Sequence, residues 1–134
     1  MRERIRGFFE ESSDSGVVAV YLFGSHAEGR AHRQSDVDLG VLLDRFPTAK
    51  ERFEVRLRLA AGLERIVGDL AADLVILNDA PPTLAREIVT RGELLVCHDP
   101  EAEHAFRRDA QLRAADLAPF LRRMRRIKLE ALAR

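Results

Sequence analysis

The chain has 134 residues, 46% hydrophobic and 33% charged, which suits one globular domain with a real core. Its 22 basic and 22 acidic residues balance, so no overall positive field supports direct nucleic-acid binding. No apolar run approaches the roughly 18 residues of a membrane span, and the single cysteine, Cys97, excludes an internal disulfide, so we expect a cytoplasmic protein.

The first predicted elements are a helix and a buried strand. Residues 2–12 have the pattern of a short helix, and Val17–Phe23 is a nearly continuous run of β-branched and aromatic residues, typical of a strand buried on both faces. Gly24 should end this strand. Ser25 can then cap a short helix that runs toward Gly29.

A second strand is predicted over residues 36–43, after a polar loop. Because side chains alternate along a strand, Asp36 and Asp38 should face the same way. The opposite face should belong to the core, and it consists of Val37, Leu39, Val41 and Leu43.

Helices and strands continue to alternate beyond this point. Residues 72–77 and 93–97 are predicted strands, and residues 83–91 form a helix that ends before a glycine. Asp99 and a proline should open a long carboxy-terminal helix. The helix predicted over residues 48–67 should pack through Ala49, Phe53, Leu57, Ala60, Leu63 and Val67.

Two features stand out in the carboxy-terminal helix. Pro119 should break or kink it. Apolar residues recur at helical spacing beyond Asp116, so one stripe should pack against the domain or a partner, while the nine basic residues from 101 to 134 outnumber five acidic ones. The alternation as a whole indicates an α/β domain with helices packed on a small sheet.

The turn at Gly24 and Ser25 has two interpretations. The simpler one is a glycine turn with a serine cap. The other is a phosphate site, because a helix amino terminus offers unpaired N–H groups, glycine leaves space, and the serine hydroxyl adds a donor.

Asp36 and Asp38 also have two interpretations. They could lie on the solvated face of an edge strand, but the apolar residues around them favour a central strand, where uncompensated acids are costly. A divalent cation would relieve their repulsion, and hard oxygen ligands favour Mg²⁺. If the strand that begins near Asp73 lies alongside, three carboxylates could hold two cations in the arrangement used for phosphoryl-type transfer.

These residues resemble a known signature. GSHAEGRAHRQSDVDLGVLL is similar to the Gly-Ser…Gly…Ser-Asp-x-Asp motif of the DNA polymerase β-like nucleotidyltransferase superfamily, and ADLVIL matches the position of its third carboxylate. Short chains of this kind resemble the minimal nucleotidyltransferase family over about residues 15–97. The resemblance implies an α+β fold, with a small mixed sheet flanked by helices, in one domain whose carboxy-terminal segment is residues 99–134.

The resemblance also implies residue roles. One position departs from the family pattern: Glu28 stands where an arginine often precedes the second glycine. Either Arg30 or Arg33 takes over the phosphate contact, or the affinity for the triphosphate is weakened. The implied nucleotide-binding residues are Gly24, Ser25, Arg30 and Ser35, and the implied catalytic and metal-binding residues are Asp36, Asp38 and Asp73.

Members of that family with a similar RGELLV-like strand are antitoxins. The resemblance implies that this chain, with Mg²⁺, transfers AMP from ATP to a tyrosine of a partner ribonuclease toxin with a HEPN domain, in a hetero-oligomer. Two alternatives are a non-catalytic binding module and an enzyme that modifies small molecules such as aminoglycosides, although the residues after Cys97 leave little room for a substrate domain.

Overall fold

The computed structural model describes residues 1–11, 16–24, 27, 29, 36–68 and 71–133. Within these ranges no helix is both long enough and apolar enough to cross a membrane. The described helices are α1 (Arg2–Glu11), α2 (Ala49–Val67), α3 (Pro82–Arg91) and α4 (Pro100–Ala133), and the strands are β1 (Val17–Phe23), β2 (Val37–Leu43), β3 (Ala72–Ile76) and β4 (Glu93–Cys97).

The four described strands form one mixed sheet in the order β3-β2-β1-β4. β1 runs antiparallel to both β2 and β4, whereas β2 and β3 are parallel. Parallel neighbours need a crossover, and α2 supplies it. The predicted class, a small mixed sheet flanked by helices, is confirmed.

Hydrophobic clusters cover both faces of the sheet. On one face, Ile5 and Phe9 of α1 and the buried side of α2 pack against the strands. On the other, Ile88 of α3 and Ala110 of α4 contribute to a second cluster. The predicted core face of β2 is confirmed, since the first cluster includes Val37, Leu39, Val41 and Leu43.

Helix α2 packs through a side that overlaps its predicted stripe only at the carboxy-terminal end, where Leu63 is buried and Val67 contacts the first cluster. Its buried residues are Val55, Leu59 and Leu63, spaced four apart. Phe53 and Leu57, which the pattern assigned to the packed stripe, are 54% and 52% exposed. Apolar residues surround much of this helix, so periodicity alone allowed two stripes, and packing on the sheet selected one of them.

Helix α4 begins as predicted but does not break. The Ala102 N–H donates to Asp99 Oδ1 over 3.2 Å, which caps the first turn. Of the predicted break or kink at Pro119, the break is wrong, because one helix extends through it to Ala133. Proline removes the bond to the Ala115 carbonyl, but Ala115 is exposed, so water can replace the missing donor.

A buried polar cluster joins the start of α4 to β1. The Tyr21 hydroxyl donates to Glu103 Oε1, and Arg107 donates to the same oxygen. Burial, and then the bond to Glu103, raises the pKa of Tyr21 well above its usual range, so the hydroxyl keeps its proton. Glu103 is 1% exposed, and this bonding lets a carboxylate occupy the core.

Candidate functional site

Two of the predicted acids lie side by side at the edge of the sheet where β2 and β3 begin. The parallel register of β2 and β3 pairs Asp38 with Asp73. Neighbouring strands are about 4.8 Å apart, and paired side chains leave the same face, so these carboxylates are close neighbours. Asp36 immediately precedes β2 and, by strand alternation, shares the side of Asp38.

The turn after β1 reaches the same edge. β2 and β3 both begin there, whereas β1 runs the opposite way and ends there, with Phe23 paired to Asp38. The sheet topology therefore brings Gly24 next to the acids. This edge is accessible, since Asp36 and Asp73 are exposed and Asp38 is half-buried.

Gly24 is required by the close approach of the turn to Asp38. A Cβ at this position would lie 2.3 Å from Asp38 Oδ2, and the residue has a φ of +75°. Any side chain would therefore clash with the carboxylate and also strain the backbone. The position of the turn and the position of the Asp38 carboxylate therefore depend on each other.

Gly24→Ala should lower the free energy of unfolding by more than the energy of the backbone strain, because the new methyl group would also displace Asp38. Positive φ costs an L-residue roughly 1–2 kcal/mol, and displacing Asp38 should add about 1 kcal/mol. Gly29→Ala is the matched control, because Gly29 has a φ of +71° but no described residue comes within 4 Å of its Cβ position. Urea unfolding of both variants measures the difference, and equal losses would show that the contact with Asp38 is unimportant.

Three predicted site residues cannot be compared with this geometry. Ser25, Arg30 and Ser35 lie outside the described residues, as do Glu28 and Arg33. Within the described ranges, no group of three or more His, Cys, Asp or Glu side chains is arranged to hold a metal ion.

A cavity of about 370 Å³ opens beside Asp73, on the outer side of β3. Helix α2 contributes Phe53 and Arg56 to its lining, and Leu84 comes from α3. The Arg56 Nε–H donates to the Leu74 carbonyl over 2.7 Å, which holds the guanidinium at the strand edge. This cavity was not predicted from the sequence, because the helical pattern placed Phe53 in the core rather than on a cavity wall.

Comparisons with known proteins find similar sequences and folds. Residues 3–101 match the family model described as "Polymerase beta, Nucleotidyltransferase". The protein adenylyltransferase MntA of Shewanella oneidensis strain MR-1 is 38% identical over 76 residues, which cover 57% of this chain and 51% of MntA. The match therefore spans about half of that relative's length.

Solved structures share the fold over most of the chain. A chain from a crystal structure of a toxin–antitoxin with AMP-PNP is 27% identical, with a TM-score of 0.60 and coverage of 89% of this chain and 88% of that one. A structure described as a minimal nucleotidyltransferase is 28% identical, with a TM-score of 0.56 and coverage of 69% and 89% respectively.

Proposed function

This chain belongs to the polymerase beta nucleotidyltransferase family, and from that premise we propose that it is an antitoxin that transfers AMP from ATP to a tyrosine hydroxyl of a HEPN-domain toxin. The main structural support for this proposal is the strand register, which sets Asp38 beside Asp73 at the edge that Gly24 also reaches. The similarity to an adenylyltransferase and to a toxin–antitoxin chain crystallised with AMP-PNP supports the same activity.

The proposed nucleotide site is the turn after β1. Gly24 leaves room for phosphate oxygens where a side chain would clash with Asp38. By the family motif, Ser25, Arg30 and Ser35 would complete the contacts with the triphosphate. The catalytic core would span about residues 15–97.

Magnesium fits the donor set that the chain presents. Asp36, Asp38 and Asp73 offer carboxylate oxygens, the hard ligands that Mg²⁺ prefers, at an exposed edge. Mg²⁺ commonly uses one or two carboxylates and takes its other ligands from water and substrate phosphates. When bound, it would neutralise charge on the phosphates and lower the pKa of the acceptor hydroxyl.

The transfer is a displacement at the α-phosphorus of ATP. The tyrosine oxygen attacks that phosphorus, an O–P bond forms, the α–β anhydride bond breaks, and pyrophosphate leaves. The tyrosine proton passes to the Asp73 carboxylate, which lines the cavity beside β3. Phe53 on the cavity wall can contact the tyrosine ring, and the ring's edge-on or offset packing would orient its hydroxyl.

Labelled ATP tests the proposal directly. The purified chain, Mg²⁺ and the HEPN-domain toxin are incubated with ATP that carries the label on either the α- or the γ-phosphate. We expect the α-label alone to appear on a toxin tyrosine, together with loss of ribonuclease activity. Label from the γ-phosphate would indicate a kinase, and inactivation without any label would indicate neutralisation by binding.

A further inference from the structure

The second half of α4 carries an apolar face that the described part of the chain leaves uncovered. Ala110 and Ala114 are the last buried residues of this helix. Beyond them, large apolar side chains are between 36% and 75% exposed. The expectation that the stripe packs on its own domain is therefore wrong for the described residues, and the alternative of a partner remains.

Helical geometry groups most of these side chains on one side. At about 100° per residue, six of the seven fall within one sector of the helix, whereas Leu129 falls outside it. A face with this repeat is what a second helix packs against in helix–helix recognition. We call this face the α4 stripe, and it consists of Leu117, Phe120, Leu121, Met124, Ile127 and Leu132.

The stripe lies next to the cavity that contains Asp73. A groove of about 780 Å³ is lined by Met124 and Ile127 from the stripe and by Thr83 from the first turn of α3. The next residue, Leu84, lines the Asp73 cavity. The groove and the cavity are thus lined by neighbouring residues of one turn of α3, and a protein docked on the stripe would lie close to the Leu84 side of the cavity that Asp73 also lines.

The charge around the stripe favours one kind of occupant. Residues 115–133 contain five basic and two acidic side chains. Arg125 and Lys128 line the groove itself, and Arg123 borders the opposite side of the stripe. Two copies packed through this face would bring like charges together, so the complement is an acidic surface.

We infer that the α4 stripe docks an amphipathic helix of the acceptor protein, with an apolar face bordered by aspartate and glutamate. The inference rests on the proposed function, because it takes the occupant to be the protein that receives AMP. Docking on this face would bring the acceptor to the first turn of α3, where Leu84 lines the same cavity as Asp73. Recognition of the acceptor is thereby separated from binding of the nucleotide at the Gly24 turn.

Charge substitutions on the helix test the docking surface. Met124→Glu and Ile127→Glu, made in the full chain, should each raise the Kd for the purified HEPN-domain toxin at least tenfold in calorimetric titration. Leu129→Glu is the matched control and should change the Kd less than twofold, because Leu129 is 61% exposed and does not line the groove. Circular dichroism and melting temperatures establish that all three variants are folded.

Four outcomes would overturn the inference. They are wild-type affinity in both stripe variants, an equal loss in Leu129→Glu, absence of toxin binding by the wild-type chain, or loss of a homodimer in sedimentation while toxin binding persists. Failure of the proposed function looks different. In that case the wild-type chain binds the toxin and the stripe variants do not, yet no AMP is transferred.

Discussion

Asp38→Asn is expected to lower kcat/KM for AMP transfer by about a thousandfold or more. The carboxylate lies between Gly24 and Asp73, so it faces both the turn and its neighbouring acid. Replacing it with an amide removes a negative charge that would hold Mg²⁺ against the phosphates. Loss of several kcal/mol of charge stabilisation in the transition state corresponds to a factor of this size.

The control for Asp38→Asn lies at the other end of the same strand. Asp44 follows β2 and contacts Arg45 at 3.7 Å, away from the site edge. Asp44→Asn should retain activity within about twofold.

Without metal, Asp38→Asn should melt at or above the wild-type temperature, because the repulsion with Asp73 is relieved. Full AMP transfer by Asp38→Asn would contradict the assigned role.

The same variant separates an enzyme from a binding module. If transfer silences the toxin, Asp38→Asn should bind the toxin but leave its ribonuclease activity largely intact. A chain that neutralises by contact alone would silence the toxin equally well with either residue at this position. Ribonuclease activity measured at saturating chain concentration distinguishes the two.

Local patterns were sufficient to predict the elements that build the site. The apolar alternation of β2 predicted the face of Asp36 and Asp38, because a shift of one residue would move Val37, Leu39, Val41 and Leu43 out of the first cluster. The glycine after β1 was predicted as a turn. That Asp73 would lie beside Asp38 depended on which strands are neighbours, and the strand order confirmed the expected pairing.

Features set by tertiary packing were not predictable in the same way. The local sequence does not show whether α2 buries Val55 or Phe53, since both lie on apolar stripes of the helix. The cavity beside Asp73 depends on which of the two is buried, because Phe53 lines it. Glu103 has the sequence context of a solvated helical acid. It is buried because the fold brings the Tyr21 hydroxyl, 82 positions away, within bonding reach.

Asp73→Asn should block the chemical step while leaving ATP binding nearly unchanged. Asp73 lies on the edge strand and lines the cavity where we propose that the acceptor tyrosine binds. Its removal would take away the proposed acceptor of the tyrosine proton, a contribution of roughly a hundredfold to ten-thousandfold in kcat. The Gly24 turn, Asp36 and Asp38 remain in place, so the Kd for Mg·ATP should change less than about threefold.

The matched control for Asp73→Asn is a second acid in the same cavity. Asp79 lines the cavity too, but Arg52 already binds its carboxylate over 2.8–3.0 Å. Asp79→Asn should therefore cost some stability and leave kcat within about threefold. Single-turnover rates and Mg·ATP titrations of both variants give the comparison. If Asp73→Asn loses ATP affinity as strongly as Asp38→Asn does, its main role is to bind Mg·ATP; if it keeps kcat, the tyrosine proton leaves by another route.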